Sequence, residues 1–306
     1  MNLFRKVKER LEYLGARVAF GMIRRLPPAA ACRFAKGLAD LAFLALGKRR
    51  RTAVDNLLKG GVAANRREAR RIARASFESM ALTVAESFLV APLLDDPRKR
   101  AEMIDTIMPT ATREALEAPG KGAILVSGHI GNWEFGAQLV SHYKPVTGVA
   151  RPMKNARVQA LMDQVQMRGN FETIDKHSLH PMQLVRALKK GRVLALLTDQ
   201  HAHGDSSAVV QFFGRPAATY TSPAVLQRLT GAPILFATGI RTGFLHYRAY
   251  FSEPLFYPYR KDHLEEDIQA ATQDIASRLE AEIRKTPGQY LWAHRRWKVK
   301  PATEVP

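Results

Sequence analysis

The segment that decides the fold reads Ala123-Ile-Leu-Val-Ser-Gly-His-Ile-Gly-Asn-Trp-Glu-Phe-Gly136. Its first five residues, 123–127, form a continuous, mostly apolar run, which predicts a buried strand. Gly131 and Asn132 then open a predicted helix over 133–142. A buried strand that leads directly into a helix is typical of an α/β fold with a parallel sheet.

The chain after residue 122 repeats this alternation of short β-branched runs with helical patterns. Further strands are predicted over 146–150, 171–174, 193–198, 233–240 and 245–251, and further helices over 155–168, 181–190, 223–230 and 264–285. The alternation predicts an α/β protein with a largely parallel central sheet covered by helices. With 306 residues, 46% of them hydrophobic, the chain can bury a sizeable core.

His129 lies where the first predicted strand meets its helix, a position at which α/β sheets commonly bind ligands. The following helix directs N–H groups and a positive partial charge toward the same space, and Gly128 and Gly131 leave room for a substrate. A histidine of ordinary pKa accepts a proton at neutral pH, and Glu134 is placed to hold its tautomer. In the simpler alternative, Glu134 only complements the helix dipole and His129 is a turn residue.

The pattern of histidine, four residues and then Asp or Glu after an apolar strand resembles the signature of glycerolipid-type acyltransferases. The string Ser-Gly-His-Ile-Gly-Asn-Trp-Glu over 127–134 resembles the late acyltransferases of lipid A biosynthesis and the related bacterial phosphatidylinositol mannoside acyltransferases. Members of this group vary between Asp and Glu at the position of Glu134. From about residue 50 to residue 298, further blocks resemble the group in the same order, at Val149-Ala-Arg-Pro152, Leu196-Leu-Thr-Asp-Gln200, Phe212-Phe-Gly214 with Ala217-Ala-Thr-Tyr220, and Gln289-Tyr-Leu-Trp-Ala-His-Arg-Arg-Trp-Lys298.

The resemblance implies transfer of a fatty acyl chain from the thioester of acyl carrier protein or acyl-CoA to a hydroxyl of an anionic glycolipid, a lipid A precursor. His129 would be the general base. The developing oxyanion needs a donor or cation, and Arg151, after the next predicted strand, is the candidate ahead of the helix N-terminus. In the simpler alternative, Arg151 is a surface residue before a proline turn. Asp199 ends another predicted strand and could orient His129 in place of Glu134 or alongside it.

No covalent acyl-enzyme, cofactor or metal is expected. The chain has no Gly-x-Ser-x-Gly elbow, so Ser127 is predicted to be a turn residue, and Cys32, the single cysteine, has no histidine beside it to activate it. The run from Asp199 to Asp205 alternates possible metal ligands, which leaves a metal site as an alternative. His201 and His203 as ordinary loop residues is the favoured interpretation.

The net charge of +19 is concentrated at the N-terminus, where the first 74 residues hold 19 Lys or Arg against 5 Asp or Glu. No unbroken apolar stretch there is long enough for a transmembrane helix. The apolar residues recur on one helical face, at Phe4, Val7, Leu11, Leu14, Val18 and Met22.

This basic amphipathic pattern predicts a helix in the headgroup region of a membrane, and the alternative is a helix packed on its own domain. We therefore predict a membrane-associating helical segment over 1–50 and an acyltransferase domain over 51–300. The predicted location is the cytoplasmic face of the cell inner membrane.

A second basic segment is predicted to be helical, with Arg67, Arg70, Arg71 and Arg74 on one face. This face is either simply solvated or a strip that binds lipid phosphates or an acidic partner. The same helix continues with an apolar stripe that is predicted to be core, at Phe77, Met80, Ala81, Val84 and Phe88.

The C-terminal block interleaves Tyr290, Trp292 and Trp297 with cations, which could form a stacking surface for nucleic acid. The favoured interpretation packs the aromatic rings on the core and directs the cations to lipid phosphates or an acidic carrier protein, with no nucleic acid bound. The alternative to an enzyme is a basic protein that binds membranes or nucleic acid without catalysis. The enzyme is favoured by four residues near predicted strand ends, His129, Glu134, Arg151 and Asp199.

Overall fold

The computed structural model describes residues 3–166, 170–204 and 206–298. Its helices are α1 (Leu3–Arg25), α2 (Pro28–Ala45), α3 (Gly47–Lys59), α4 (Arg66–Leu94), α5 (Pro97–Met103), α6 (Thr110–Glu117), α7 (Trp133–Ser141), α8 (Ala156–Gln166), α9 (Pro181–Lys189), α10 (Ser222–Thr230) and α11 (Leu264–Lys285). Its strands are β1 (Ile104–Ile107), β2 (Ala123–Ser127), β3 (Val146–Ala150), β4 (Phe171–Asp175), β5 (Val193–Leu197), β6 (Ser207–Phe212), β7 (Arg215–Tyr220), β8 (Ile234–Gly243) and β9 (His246–Phe251).

The central sheet confirms the predicted α/β class. Its strand order is β1-β9-β8-β2-β5-β3-β4, and neighbouring strands run parallel except for the antiparallel pair β8–β9. Side chains of the central strand β2 alternate between two cores. Ile124 and Val126 pack with residues of α9, α10 and α11, whereas Leu125 packs with residues of α4 and α7.

The parallel register of β2 and β5 determines where the candidate residues lie. Ser127 at the end of β2 pairs with Leu197 at the end of β5. His129 and Asp199 each follow two residues later, so both chains leave the sheet side by side at its carboxyl edge. Their proximity therefore follows from the strand pairing rather than from a contact along the sequence.

The elements predicted after residue 122 are all present, with small shifts at their ends. Residues 167 and 168 of the predicted helix 155–168 lie outside the described residues. Three strands were not predicted. Strand β1 is a short edge strand, and β6 and β7 form a separate hairpin whose turn holds Phe213 and Gly214 at φ of 54° and 68°. Left-handed residues at both turn positions are usual in such hairpins.

The N-terminal helices pack against α4. Small residues of α2 are buried along this contact, and Ile23 of α1 joins a core cluster with Ala35, Leu82 and Ala85. The predicted domain boundary at 50/51 falls inside α3, and the division into domains stays a prediction. Among the described helices, none combines the length and apolar character needed to cross a membrane.

The described part of the predicted apolar face of α1 is solvent-exposed rather than packed on the rest of the chain; the side chain of Phe4 lies outside what the structure describes. The exposed members of this face are Val7, Leu11, Leu14, Val18 and Met22. Contiguous exposed apolar side chains of this kind mark an interaction surface.

Helix α4 turns a different face to the core from the one its sequence pattern predicts. Val84 is 39% exposed, and the other members of the predicted stripe are only half-buried. The described residues of α4 that are buried are instead Ala69, Ile72, Ala73, Ser76, Ser79, Leu82, Thr83, Ala85, Glu86, Ser87, Val90 and Leu94. The prediction is borne out in part for Phe77, which is partly buried and packs against a core cluster, and is wrong for Val84. Apolar periodicity does not register polar side chains that are buried with internal hydrogen-bond partners.

The four arginines predicted to share one face of α4 are all exposed. Arg74 donates two hydrogen bonds of 2.7 Å to Asp40 on α2, and Arg70 lies 5.9 Å from the ring centroid of Phe43. Arg74 is therefore engaged by an acid of the chain itself.

Candidate active site

The ends of β2 and β5 bring His129 and Asp199 into direct contact. Nδ1 of His129 is 2.8 Å from Oδ1 of Asp199, and the backbone N–H of His129 donates to Oδ2 at 3.1 Å. The Asp199 side chain is 2% exposed, whereas that of His129 is 18% exposed. Because Nδ1 directs its hydrogen to Asp199, Nε2 is the ring nitrogen whose lone pair stays available to accept a proton. This is the arrangement of a general base held in one tautomer.

The electrostatics of this pair favour a charged Asp199. Burial by itself would lower the pKa of His129, but the charge and hydrogen bond of Asp199 outweigh burial and raise it. Burial would raise the pKa of Asp199, yet the charge and hydrogen bonds of His129, together with the charge of Arg296, lower it. An ionised Asp199 stabilises the imidazolium that forms when His129 accepts a proton.

Glu134 lies in the first turn of α7, near His129. The indole N–H of Trp133 donates to Oε1 of Glu134 at 3.2 Å, and the Trp133 ring lies 5.0 Å from the His129 ring, centroid to centroid. The charge of Glu134 also raises the pKa of His129, but it contributes less than Asp199 does. Of the two acids that the sequence offers as orienters, Asp199 makes the hydrogen bond to the His129 ring.

Arg151 lies directly after β3, on the far side of β5 from β2, and is exposed. This places it at the carboxyl edge of the sheet, as predicted. Within the described residues, no hydrogen bond or ion pair joins it to the His129–Asp199 pair.

The C-terminal block packs against the turn that carries His129. The backbone N–H of Leu291 donates to the carbonyl oxygen of His129 at 3.0 Å. Tyr290 and Trp292 are buried, which confirms for them the prediction that the aromatic residues pack on the core. Rings so buried offer no face to a nucleotide base. The Tyr290 hydroxyl faces Asp199, and burial followed by that negative charge raises the pKa of Tyr290.

Arg296 is an internal residue, and the prediction that the cations of this block reach outward is wrong for it. It is 3% exposed. Nη1 of Arg296 donates to the carbonyl oxygens of Gln200 at 3.3 Å and Ala218 at 2.5 Å, and Nη2 donates to the Thr219 hydroxyl. Its neighbour Arg295 is exposed. Sequence alone does not distinguish the two, because the hairpin that receives Arg296 was not predicted.

His294 holds the loop that follows Asp199 through a hydrogen bond to His201. Its Nε2 accepts the backbone N–H of His201 at 3.1 Å. Burial lowers the pKa of His294 to about 4, so it stays a neutral acceptor at physiological pH. Gln200 lies between Asp199 and His201 in this loop. Its side-chain Nε2 lies 3.4 Å from Nε2 of His129.

Comparison with known proteins shows the family of this chain. The sequence pattern of the family described as bacterial lipid A biosynthesis acyltransferase matches residues 2–299. The chain belongs to this family. The resemblance identified from the sequence blocks is therefore confirmed.

Named relatives of this family member come from several bacteria. A lipid A biosynthesis lauroyltransferase of Escherichia coli is 27% identical over 293 residues, 95% of this chain and 92% of that protein. A lipid A biosynthesis palmitoleoyltransferase of the same organism is 30% identical over 186 residues, 60% of this chain and 58% of its own length. A phosphatidylinositol mannoside acyltransferase of Mycobacterium tuberculosis is 28% identical over 210 residues, 65% of this chain and 62% of that protein. The match thus spans less than two thirds of the length of the latter two relatives.

A solved structure, the 1-acyl-sn-glycerophosphate acyltransferase of Thermotoga maritima, aligns with a TM-score of 0.37 and 11% identity. The alignment covers 82% of this chain and 95% of that one.

The glycines of the family's histidine turn serve close packing. A Cβ at Gly128 would lie 2.7 Å from the side chain of Leu279 and 3.3 Å from Cγ of Asp199. Gly131 has a φ of +61°, and a Cβ there would lie 2.1 Å from the carbonyl oxygen of Gly239. The prediction that these two glycines leave room for a substrate is wrong, because protein atoms already occupy that space.

A buried ion pair supports the same turn from α4. Glu86 and Arg241 approach to 2.6 Å, with side chains 0% and 8% exposed. Nδ2 of Asn132 donates to Oε2 of Glu86 at 3.0 Å, and its Oδ1 accepts the N–H of Phe135 at 2.9 Å, so that Asn132 caps α7. The hydroxyl of Thr83 also donates to the turn, to a backbone carbonyl at 2.9 Å.

This support was missed from the sequence. The available signal was the spacing of Ser79, Thr83 and Glu86 on one helical face, next to the apolar stripe that the pattern favoured. Polar residues at core spacing in a helix indicate a buried network, provided that partners lie opposite. Here the main partner, Arg241, is 155 residues away in sequence.

The loop after β5 also tests the metal alternative. The rings of His201 and His203 lie 4.6 Å apart, and Asp205 lies outside the described residues. Among the side chains that the structure describes, no group of three His, Cys, Asp or Glu residues is arranged to hold a metal ion.

We expect Glu86→Gln to lower the free energy of unfolding by about 3 kcal/mol, because it leaves the charge of Arg241 buried without its partner. Urea unfolding measures this loss. The matched control is Asp105→Asn, which breaks the exposed Arg248–Asp105 pair of 2.8 Å and should cost less than about 1 kcal/mol. Equal losses for both variants would show that the buried pair does not support the fold.

Proposed function

We propose that this protein moves a fatty acyl chain from a thioester, carried by acyl carrier protein or coenzyme A, to a hydroxyl of an anionic glycolipid of the lipid A precursor type. The observation that supports this proposal most directly is the His129–Asp199 hydrogen bond at the carboxyl edge of the sheet. A protein that only binds membranes or nucleic acid needs no base of this kind. The family match supports the lipid acceptor.

In the proposed reaction, Nε2 of His129 takes the proton of the acceptor hydroxyl while the oxygen attacks the thioester carbon. Asp199 keeps the imidazole in the tautomer whose lone pair is on Nε2. The positive charge that His129 acquires is then balanced by a carboxylate 2.8 Å away. After the carbon–sulfur bond breaks, His129 returns the proton to the thiolate.

Glu134 and Arg151 have supporting roles in the proposal. Glu134 adds a second negative charge near His129, which also favours the imidazolium. Arg151 is an exposed cation near the same edge of the sheet, where it would attract negative charge that is carried by either substrate.

The acceptor could be another lipid of the same chemistry. A relative named as a phosphatidylinositol mannoside acyltransferase aligns over 65% of this chain, which keeps mannosylated phosphoinositides as the second candidate. An amino-acid lipid is a further alternative. All three present a hydroxyl on an amphiphile.

The N-terminal segment 1–50 is proposed to attach the enzyme to the cytoplasmic face of the inner membrane. The exposed apolar face of α1 supports this, together with the excess of Lys and Arg in the first 74 residues. Apolar side chains would enter the headgroup boundary, and the cations would contact anionic lipid. A lipid acceptor would then reach the site without leaving the membrane surface.

We expect wild-type protein to add one acyl chain to a lipid A precursor, and His129→Ala to lower the rate by about 10²- to 10⁴-fold, because the general base is lost. The assay combines purified protein with a lipid extract that contains the precursors. Fatty acyl carrier protein and fatty acyl-CoA are supplied in separate reactions, and mass spectrometry detects the product.

The control for this assay is His177→Ala, which removes an exposed histidine in the turn after β4 and should keep the wild-type rate. Full activity in His129→Ala would contradict the role of the base. The absence of an acylated product with either donor would contradict acyl transfer to these lipids.

We expect the triple substitution of Leu11, Leu14 and Val18 by Glu to lower vesicle binding at least about tenfold, because charges replace side chains that would be buried in the headgroup boundary. Flotation with phosphatidylcholine vesicles, with and without phosphatidylglycerol, measures the bound fraction. Leu229→Glu is the control, since Leu229 is equally exposed but lies on α10. Unchanged flotation of the triple variant would place the attachment elsewhere.

A further inference from the structure

We infer that the side-chain amide of Gln200 is the hydrogen-bond donor for the oxyanion that forms during acyl transfer. This inference rests on the proposed function, because it assigns a role within that reaction. It concerns the carbonyl oxygen of the thioester, which gains the negative charge when the acceptor hydroxyl attacks.

The first observation is the position of Gln200 relative to the reactive nitrogen. Nδ1 of His129 is engaged by Asp199, so a substrate hydroxyl can deliver its proton only to Nε2. Nε2 of Gln200 lies 3.4 Å from that same atom. This separation is longer than a usual N–H hydrogen bond, so the contact is weak and an incoming hydroxyl can replace it.

The side-chain amide of Gln200 also lies within range of the thioester carbonyl oxygen. A hydroxyl that transfers its proton lies about 3 Å from Nε2 of His129, and the carbonyl carbon lies about 3 to 3.5 Å from that hydroxyl before attack. The carbonyl oxygen therefore falls within hydrogen-bond range of a group placed beside Nε2. The amide of Gln200 carries two hydrogens, so it can address this oxygen.

The third observation is that hydrogen bonds hold the backbone on both sides of Gln200. Arg296 holds its carbonyl oxygen, and His294 holds the N–H of the next residue. Arg296 is itself fixed by the hairpin at Ala218. A donor lowers the barrier most when it is held in place before the charge appears, and these contacts supply that preorganisation.

The other candidate donors are less well placed. The backbone N–H groups of Ile130, Gly131 and Asn132 already donate to backbone carbonyl oxygens at 2.8 to 3.0 Å. Arg151 is exposed and lies beyond β5. Arg296 faces Gln200 and Asp199 from within the protein, so it acts as a positioning residue for the donor rather than as the donor.

The reaction balances with Gln200 in this role. The acceptor oxygen bonds to the thioester carbon as its proton moves to His129, and the carbonyl electron pair moves onto oxygen, where the Gln200 amide donates to it. The tetrahedral intermediate then reforms the carbonyl and breaks the carbon–sulfur bond. The thiolate takes the proton from His129, which leaves an ester and a free thiol.

The test compares two replacements of similar size in the full-length protein. Gln200→Leu keeps the volume and removes the donor, so kcat should fall by about 10²-fold with little change in KM. Gln200→Glu keeps the shape but places a carboxylate beside the developing negative charge, so kcat should fall at least as far. The added charge near His129 should also move the acid limb of kcat/KM to higher pH, because it raises the pKa of the imidazole.

The matched control is Gln211→Leu, an exposed glutamine on β6 that should keep the wild-type kcat. Thermal unfolding of every variant checks the fold, and Gln200→Met, which also lacks the donor, decides the result if Gln200→Leu is unstable. A role in packing alone predicts that a folded variant without the donor keeps the wild-type kcat, and that result would overturn the inference. The pH shift in Gln200→Glu follows from its charge and checks only that residue 200 lies beside His129. A wild-type enzyme that transfers no acyl chain would overturn the proposed function, and this inference with it.

Discussion

The hydrogen bond between Nδ1 of His129 and Asp199 is the contact on which the rest of the site depends. It joins two loops that leave adjacent parallel strands in register, so the fold itself brings the two side chains together. Asp199 also accepts the backbone N–H of His129, which fixes the ring and the main chain at once. With Nδ1 committed, Nε2 is the nitrogen that the proposed reaction would use, and Gln200 lies beside that atom.

Buried polar and charged side chains hold this arrangement on two sides. Glu86 and Arg241 are paired beneath the histidine turn, and Asn132 links that pair to the start of α7. On the other side, Arg296 ties the loop after Asp199 to a hairpin. Buried charges are costly unless they are paired and hydrogen-bonded. Their presence on both sides of the site is consistent with a requirement for precise placement rather than for stability alone.

Much of the fold follows from local sequence patterns. The β2–α7 unit, the later strands and α11 were predictable because apolar runs and helical spacing record their burial directly. From the sequence, Asp199 was predicted to orient His129 either in place of Glu134 or alongside it, because both acids lie near strand or helix ends. Choosing between them requires the strand order, which places β5 next to β2.

The remaining features depend on contacts far apart in sequence. The buried face of α4 was mispredicted because Glu86 is internal only in the presence of Arg241, 155 residues away. The internal position of Arg296 depends in the same way on the hairpin β6–β7, which was not predicted. The packing role of Gly131 became visible only when Gly239 was found opposite it.

The pH dependence of kcat/KM for acyl transfer, measured for wild type and Asp199→Asn, tests the central claim most directly. For wild type, activity should fall with decreasing pH through a pKa above the ordinary histidine value of about 6.5, because only neutral His129 can accept a proton. In Asp199→Asn the rate should drop by roughly 10²-fold or more, and the acid limb should move to lower pH, because burial then acts on His129 without the opposing charge. A variant that keeps both the wild-type rate and the position of the limb would contradict the account.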